Sequence, residues 1–224
     1  YNEFVTHVDE QAEKAIIDLI RSRYPDHSIL GEEHGMQDND SEFLWIIDPI
    51  DGTTNYIHGF PVYCVSIALK IKDRLEVAVI YDPSRQELFT AIRGMGSQLD
   101  GIKIRVSKHA TLQGSLLGTG FPFRDQKDWL ELYLDIFTDF TKIVGAIRRP
   151  GSAALDLAYV ASGRYDGFWE FGLKPWDVAA GVLLIQEAGG IVQNIIPDTD
   201  PVESGSLFCG NPKIFEGMQE IIHP

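Results

Sequence analysis

The hydrophobic pattern of the chain changes near residue 108, and this change restricts the possible folds more than any other feature. Before it, apolar and β-branched runs of strand length are separated by short turns, among them Asp100-Gly101, a tight hairpin signal. This succession predicts an antiparallel meander. Its strands are expected at 62–71, 75–81, 87–92 and 103–106.

The rest of the chain shows helical periodicity. Apolar residues recur every three or four positions in 129–140, 153–161 and 178–188, and short strand-like runs lie between these segments. Strands followed by alternating helices and strands predict a layered fold of the α+β or α/β class. In such a fold, helical and sheet layers cover each other's apolar faces.

Two more elements are expected near the amino end. Apolar residues at helical spacing in 12–20 predict an amphipathic helix that stops before Pro25, because proline disfavours helix in the residue that precedes it. A short apolar run at 44–47 stops at Asp48-Pro49, which predicts a strand that leads into a turn at that point.

The length of the chain and its lack of linkers bear on its domain organisation. A chain of 224 residues can bury one large core or two small ones. No repeat, low-complexity tract or Ser/Gly-rich linker separates the two patterns, so we expect two subdomains packed rigidly together, at residues 1–108 and 109–224. The sequence begins at Tyr1 rather than Met, and we expect a truncated amino end.

The charge and composition of the chain limit its partners. A formal net charge of −14 repels phosphate backbones and argues against direct nucleic-acid binding. A small anionic ligand is still compatible with it where a divalent cation lies between carboxylates and ligand. No apolar run approaches the length of a membrane span. Cys64 and Cys209 lack metal-ligand spacing, which favours buried thiols and a cytoplasmic protein.

The strongest chemical signal is the run from Trp45 to Thr54. Asp48 and Asp51 are three residues apart across a rigid proline, and this spacing at a strand end allows both carboxylates to face one point, as a metal pair requires. If Gly52-Thr53-Thr54 opens a helical turn, its N–H groups and hydroxyls form a phosphate site. For either Asp-Pro or Asp-Gly alone, ordinary turn chemistry is the simpler interpretation.

Three other acidic residues are ambiguous when each is taken alone. Glu32 follows Gly31 in an acidic pair that a solvated loop would also contain. Asp177 lies beside Trp176, where an acid can simply neutralise a helix N-terminus. Glu170 is equally compatible with a solvent-facing position in a strand.

Together and in order, these motifs resemble those of the inositol monophosphatase family over nearly the whole chain. The family's first metal motif is similar to Gly31-Glu32-Glu33, its second to 48–54 and its third to 176–181. The stretches 151–156 and 163–167 look most like the bacterial branch known for extragenic suppressor activity. The resemblance implies a sugar-phosphatase-like αβαβα sandwich with an amino-terminal antiparallel sheet and a carboxy-terminal mixed sheet.

The resemblance also implies a role for each matching residue. The implied metal ligands are Glu32, Asp48, the carbonyl of Ile50, Asp51 and Asp177, with the Thr53 hydroxyl on the first ion. The implied catalytic residues are Asp9, Glu32 and Thr53, of which Asp9 and Thr53 orient the attacking water. The implied substrate-binding residues are Asp51, Gly52, Thr53, Thr54, Gly151, Ser152, Ala153, Glu170 and Asp177. Glu170 would accept hydrogen bonds from ring hydroxyls.

These assignments predict Mg²⁺-dependent hydrolysis of inositol monophosphate by a metal-activated water. Oxygen-only ligands suit Mg²⁺. Phosphate monoester hydrolysis is among the slowest uncatalysed reactions, so neutralising charge has the magnitude that is needed. The resemblance further implies sensitivity to Li⁺ and a homodimer.

Two alternatives stay open. A related phosphatase with the same metals could act on another sugar phosphate or small phosphomonoester, since fold analogy alone does not separate these substrates. The bacterial branch that the chain resembles is also associated with ribosomal RNA transcription complexes, so binding a protein partner there could be its main role. The negative charge favours a basic partner protein over direct RNA contact.

Overall fold

The computed structural model describes residues 7–122, 129–197 and 199–223, which contain thirteen strands and seven helices. The strands form one sheet of eight and one of five. Tyr1, at which the sequence begins, lies outside the described residues.

The eight-stranded sheet comes from the first half of the chain. Its strands are β1 (Ser28–Gly31), β2 (Gly35–Gln37), β3 (Phe43–Asp51), β4 (Cys64–Ile71), β5 (Arg74–Asp82), β6 (Glu87–Ile92), β7 (Gly96–Leu99) and β8 (Ile102–Lys103). They lie in the order β2-β1-β3-β4-β5-β6-β7-β8. From β3 to β8 each strand pairs antiparallel with the next, which confirms the predicted meander. β1 and β3, however, are parallel.

Two strand boundaries differ from the predicted ones. β3 does not stop at Asp48 but continues through Pro49 to Asp51, and its register with β4 shifts within this stretch. A bulge of this kind accommodates a proline, which has no N–H for the ladder. The strand predicted at 103–106 is reduced to β8, because the chain turns away and Val106 donates its N–H to the carbonyl of Ala188.

The five-stranded sheet comes from the second half. Its strands are β9 (Leu116–Thr119), β10 (Ala146–Arg148), β11 (Gly167–Glu170), β12 (Ile191–Asn194) and β13 (Leu207–Gly210). They lie in the order β10-β9-β11-β13-β12. β9 is parallel to β10 and β11, whereas β13 is antiparallel to β11 and β12, so the sheet is mixed as predicted.

The helices complete five layers. They are α1 (His7–Arg23), α2 (Thr53–Ile57), α3 (Leu130–Thr141), α4 (Ala153–Ala161), α5 (Pro175–Glu187), α6 (Pro201–Ser204) and α7 (Pro212–Ile222). α4 and α5 lie between the sheets, α1 packs on the eight-stranded sheet, and α3 and α7 cover the five-stranded one. This is the predicted αβαβα order. Within the described ranges, no helix combines the length and apolar composition of a membrane crossing.

The central layer fixes how the two halves of the chain meet. Every residue of α4 is buried, as expected for a helix that is apolar all round. Neighbouring residues of β11 face opposite cores: Phe168 packs between the sheets, and Trp169 packs against α3 and α7. The first turns of α4 and α5 therefore lie in the buried layer between the two sheets, and α5 packs against β3, β4 and β5 of the first sheet.

Candidate active site

The carboxyl ends of two parallel strands carry the first acidic residues of the site. Gly31 of β1 pairs with Ile47 of β3, so Glu32 and Asp48 come next at the same sheet edge. The N–H of Glu32 donates to the carbonyl of Ile47 over 3.1 Å. Parallel pairing thus joins an acid from the first motif to one from the second.

The bulge in β3 explains how Asp48 and Asp51 come to the same side of the strand. Asp48 lies opposite Ser66 and Asp51 opposite Cys64, so three steps along β3 match two along β4. In a regular strand, positions three apart face opposite ways. The extra residue reverses this alternation and brings the two carboxylates together.

Asp48, Asp51 and Asp177 form an acidic cluster. One carboxylate oxygen from each lies within 4.8 Å of the others. Asp177 is in the first turn of α5, where its Oδ2 accepts a hydrogen bond of 2.7 Å from the N–H of Lys174. Asp177 is therefore a helix-capping acid, as the simpler interpretation holds, and also a member of the cluster.

The electrostatics of the acidic cluster and the adjacent Glu32 favour a bound cation. Burial, reinforced by the neighbouring carboxylates, raises the pKa of Asp48 and of Glu32 well above the usual range. Glu32 Oε2 and Asp48 Oδ1 are buried and have no hydrogen-bond donor. Buried oxygens without partners are costly, and a divalent cation would satisfy them. Because all the candidate donors are oxygens, the group that fits is a hard cation such as Mg²⁺.

Asp9 and Thr53 lie next to each other. Asp9 is fully buried on α1, and the Thr53 hydroxyl donates toward its Oδ1 at 3.2 Å. The carbonyl of Ile50 lies 3.0 Å from the same hydroxyl. Since a hydroxyl carries one proton, it can donate to only one of these acceptors at a time. The structure thus brings an acid, a hydroxyl and a carbonyl from three separate elements to one point.

The turn after Asp51 depends on a glycine. Gly52 adopts φ +99°, and an added Cβ would lie 2.9 Å from the carbonyl of Val62. α2 begins at Thr53, as predicted, and Thr54 is exposed on it. Asn55 in this helix donates to the carbonyl of Pro150 over 2.9 Å and so ties α2 to the second half of the chain.

Asp51 links the two halves directly. Its Oδ2 accepts hydrogen bonds from the Ser152 hydroxyl over 2.6 Å and from the N–H of Ala154 over 2.7 Å. Ser152 is the N-cap residue of α4, preceded by Gly151 at φ +96°. One carboxylate of the acidic cluster is thereby fixed by the start of the central helix.

A cavity of about 130 Å³ opens beside Asp51. It is lined by Asp51, Thr119, Gly120, Arg149, Gly151, Ser152, Ala153, Asp156, Glu170, Leu173 and Asp177. Among the other predicted substrate residues, Gly52, Thr53 and Thr54 are not part of this wall. They belong to the turn on the first-sheet side of Asp51.

Glu170 lines this cavity rather than facing open solvent. Burial, with the charges of Asp177 and Asp51, raises its pKa to about 8, and Arg149 opposes the shift. Gly120 leaves room for it, since a Cβ there would lie 1.8 Å from Glu170 Oε1. Glu170 therefore lines the same cavity as Asp51 and Asp177 of the acidic cluster.

Sequence reasoning assigned no role to five residues of this wall, Thr119, Gly120, Arg149, Asp156 and Leu173, of which Asp156 and Arg149 are the charged ones. Asp156 is 1% exposed, and its Oδ1 has no hydrogen-bond partner. An acid within the otherwise apolar run of α4 was a usable signal for it. Arg149, whose guanidinium lies 5.3 Å from the centre of the Phe121 ring, gave no such signal, because an arginine in a loop is usually solvated.

The family of the chain follows from its similarity to known proteins. The sequence profile of the inositol monophosphatase family matches residues 1–223. The chain belongs to this family. Membership in the inositol monophosphatase family implies metal-dependent phosphatase chemistry, which agrees with the cluster of carboxylates.

Individual members of the inositol monophosphatase family are similar over almost the whole chain. The Nus factor SuhB of Pseudomonas aeruginosa is 53% identical over 226 residues, which span 99% of this chain and 83% of that protein. The crystal structure of the extragenic suppressor protein suhB from Bartonella henselae matches with a TM-score of 0.93 at 39% identity, covering 98% of this chain and 84% of that one. The inositol monophosphatase of Anabaena gives 0.87 at 41% identity, with coverages of 97% and 86%. These matches confirm the layered fold.

Proposed function

We propose that this protein is a Mg²⁺-dependent phosphomonoesterase that hydrolyses inositol monophosphate to inositol and phosphate. The observation that supports this most is the acidic cluster of Asp48, Asp51 and Asp177, which borders a cavity that contains a further carboxylate, Glu170. A cation held by the cluster would bind the phosphate, and Glu170 would contact the alcohol part of the ester.

The residues that would hold Mg²⁺ are Glu32, Asp48, the carbonyl of Ile50, Asp51 and Asp177. When bound, Mg²⁺ supplies positive charge that neutralises the phosphate and lowers the pKa of a water molecule. The partnerless oxygens of Glu32 and Asp48 support this assignment. The other contacts of Asp51 and Asp177, to Ser152, Ala154 and Lys174, keep their carboxylates oriented.

Asp9 and Thr53 would orient the attacking water. When the Thr53 hydroxyl donates to Asp9, its oxygen lone pairs face away and can accept a proton of the water. The water oxygen forms a bond to phosphorus, the bond from phosphorus to the ester oxygen breaks, and a proton goes to the released alcohol. No covalent intermediate with a side chain is required.

The substrate side of the site would be Glu170 together with Gly151, Ser152 and Ala153. A bound cation would offset the charges of Asp177 and Asp51 that help to raise the pKa of Glu170, and as a carboxylate Glu170 would accept hydrogen bonds from vicinal hydroxyls of the ring. The similarity to the inositol monophosphatase of Anabaena supports this choice of substrate. Gly52 and Thr54, in the turn after Asp51, would face the phosphate.

Phosphate release from a panel of monoesters tests the proposal. With Mg²⁺ we expect turnover of inositol 1-phosphate, none in excess chelator, and recovery when Mg²⁺ is returned. Li⁺ is expected to inhibit, as the family resemblance implies. Full activity in chelator would contradict the metal mechanism. Preference for another sugar phosphate would support the proposed Mg²⁺-dependent hydrolysis but contradict inositol monophosphate as the substrate.

A second function is favoured by the names of two relatives. The proteins of Pseudomonas aeruginosa and Escherichia coli, 53% and 51% identical to this chain, are called Nus factors. We propose as an alternative that this protein binds a protein partner in ribosomal RNA transcription complexes. Affinity capture from cell extract with wild-type protein and with Asp177→Asn separates the two roles, because binding by a surface survives the loss of a metal ligand. Loss of the partner with this variant would contradict an independent binding role.

The assembly and compartment of the protein are proposals of the same kind. The family resemblance supports a homodimer, and the charge and cysteine content support a cytoplasmic protein. Sedimentation of the purified protein measures its oligomeric state directly.

A further inference from the structure

Glu13 is a buried acid that the proposed chemistry does not use. It lies on α1 with 0% exposure, and both of its carboxylate oxygens have partners. Oε2 accepts the N–H of Glu33 over 2.9 Å. Oε1 accepts the N–H of His34 over 3.0 Å and contacts His34 Nδ1 at 2.8 Å. One helix side chain therefore holds two successive backbone amides of the turn between β1 and β2.

This turn begins with Glu32. On one side, the N–H of Glu32 is bound to the carbonyl of Ile47 in β3. On the other side, the next two amides are bound to Glu13. The carboxylate also lies against Gly31, where an added Cβ would be 2.3 Å from Glu13 Oε1. The backbone of the turn is thus fixed from both sides.

The Glu32 side chain depends on this backbone support. Its Oε2 is buried without a hydrogen-bond donor, so the position of that oxygen is sensitive to where the backbone places the side chain. The two hydrogen bonds from the amides of Glu33 and His34 to Glu13 supply this support.

We propose that Glu13 is a positioning residue for Glu32. It holds the turn after β1 so that the Glu32 carboxylate stays beside Asp48 and is ready to bind the divalent cation. This inference rests on the proposed metal role of Glu32. Outer residues that orient a ligand typically change metal affinity ten- to a hundredfold when they are replaced.

Glu13→Gln tests the proposal with Mn²⁺ as the probe. Glutamine keeps the size of the side chain but offers one acceptor oxygen, and its NH₂ group opposes an N–H donor of the turn. We expect Mn²⁺ binding, followed by electron paramagnetic resonance of the free ion, to weaken about tenfold. The control is Glu10→Gln, which removes the same charge from the exposed face of the same helix near Glu33 and should leave the affinity within twofold.

Two further measurements separate positioning from simple loss of stability. In Glu13→Gln, the amides of Glu33 and His34 should exchange faster with deuterium, while those of β3 are unchanged. Equal Mn²⁺ affinity of the folded Glu13→Gln and Glu10→Gln proteins would overturn the proposal, whatever their thermal stability. If the wild-type protein itself fails to bind Mn²⁺, then the proposed metal function has failed.

His34→Ala keeps the proposal testable if Glu13→Gln does not fold. The His34 side chain is 41% exposed, so its removal is tolerable, yet it takes away one partner of Glu13 Oε1. We expect Mn²⁺ binding to weaken two- to tenfold, as for the loss of one hydrogen bond. Faster exchange of the Glu33 and His34 amides in this variant, together with an unchanged Mn²⁺ affinity, would contradict the role of Glu13.

Discussion

Asp51 combines a structural contact with the proposed metal role, and one oxygen carries the structural part. Oδ2 receives both hydrogen bonds, from Ser152 and from Ala154. Burial nevertheless raises the pKa of this residue, so its surroundings on balance disfavour the charged form when no metal is bound. The negative charge of Asp51 therefore does not stabilise the metal-free fold, and its proposed role is to bind the cation.

Asp51→Asn should abolish turnover without lowering the thermal stability of the metal-free protein. The amide oxygen can accept both hydrogen bonds, and the loss of charge relieves repulsion and burial cost. Thermal unfolding in chelator measures this, with Asp51→Ala as the control. Alanine loses both hydrogen bonds and should cost about 1–3 kcal/mol. A large loss of stability in Asp51→Asn would mean that the charge itself is structural.

Glu170→Gln should change substrate preference and leave the chemical step intact. Glu170 lies in the cavity wall, so its proposed contacts are with ring hydroxyls. A hydrogen bond to a charged group contributes about 1.5–3 kcal/mol, roughly ten- to a hundredfold. We expect this loss in kcat/KM for inositol monophosphate and almost none for a phosphate ester without ring hydroxyls. An equal loss on both substrates would assign Glu170 to the metal centre or the fold.

At the scale of elements, the close packing of α4 on α5 sets the spacing of the site, because one helix carries Ser152 and the other Asp177. Gly181 in α5 permits this approach: an added Cβ would lie 2.4 Å from the Cβ of the fully buried Leu157 in α4. The helix pair can separate only if the carboxylate of Asp177 also moves away from Asp51.

Gly181→Ala should therefore destabilise the protein and reduce turnover together. Overpacking costs about 1–3 kcal/mol, against a gain of at most about 1 kcal/mol from helix propensity. Urea unfolding measures the balance. Gly217→Ala in α7, where the nearest atom is Leu112 Cγ at 3.0 Å, is the milder control. Unchanged stability in Gly181→Ala would show that the two helices can adjust.

The elements also show what the sequence could and could not predict. Periodicity predicted the meander and α4, because local patterns define them. Pairing across the chain was not accessible: β1 lies parallel to β3, and the bulge carries β3 through Pro49. Both depend on neighbouring strands rather than on local preference. Glu13 was missed for the same reason, since a charged residue in an amphipathic helix is usually solvated. Asp48 and Asp51 were accessible because their spacing suggested a shared metal, whereas the roles of Glu32, Asp177 and Glu170 came only from the resemblance to the inositol monophosphatase family.

At the scale of the whole molecule, the metal-free protein should lose stability as pH rises from about 4 to about 8. Burial raises the pKa of Glu170 to about 8 and raises those of Glu32 and Asp48, whereas unfolded carboxyls titrate near 4. In this interval the folded state holds more protons than the unfolded state, so the free energy of unfolding falls with pH. Below about pH 4 these carboxyl groups are protonated in both states, so they no longer lower the free energy of unfolding.

Urea unfolding in chelator at pH 5, 6, 7 and 8 measures this slope, up to about 1.4 kcal/mol per pH unit for each such group. Mg²⁺ should flatten it, because a bound cation compensates the charges as they form. Glu170→Gln should reduce the slope in chelator by removing one of these groups. A free energy of unfolding that is constant or rises with pH would contradict the raised pKa values of Glu170, Glu32 and Asp48.

The link between Asp51 and the start of α4 has a consequence for how the molecule is made. Ribosomes build a chain from its amino end, and Ala154 follows Asp51 by 103 residues. A growing chain therefore exposes Asp48 and Asp51 long before the N–H and hydroxyl groups that orient them, and before Asp177. Under the proposed metal role, the complete acidic cluster would be available to a cation only after synthesis has passed Asp177. A chain that ends before Asp177 would lack this cluster, so the stabilisation proposed for the cation would arise only late in synthesis.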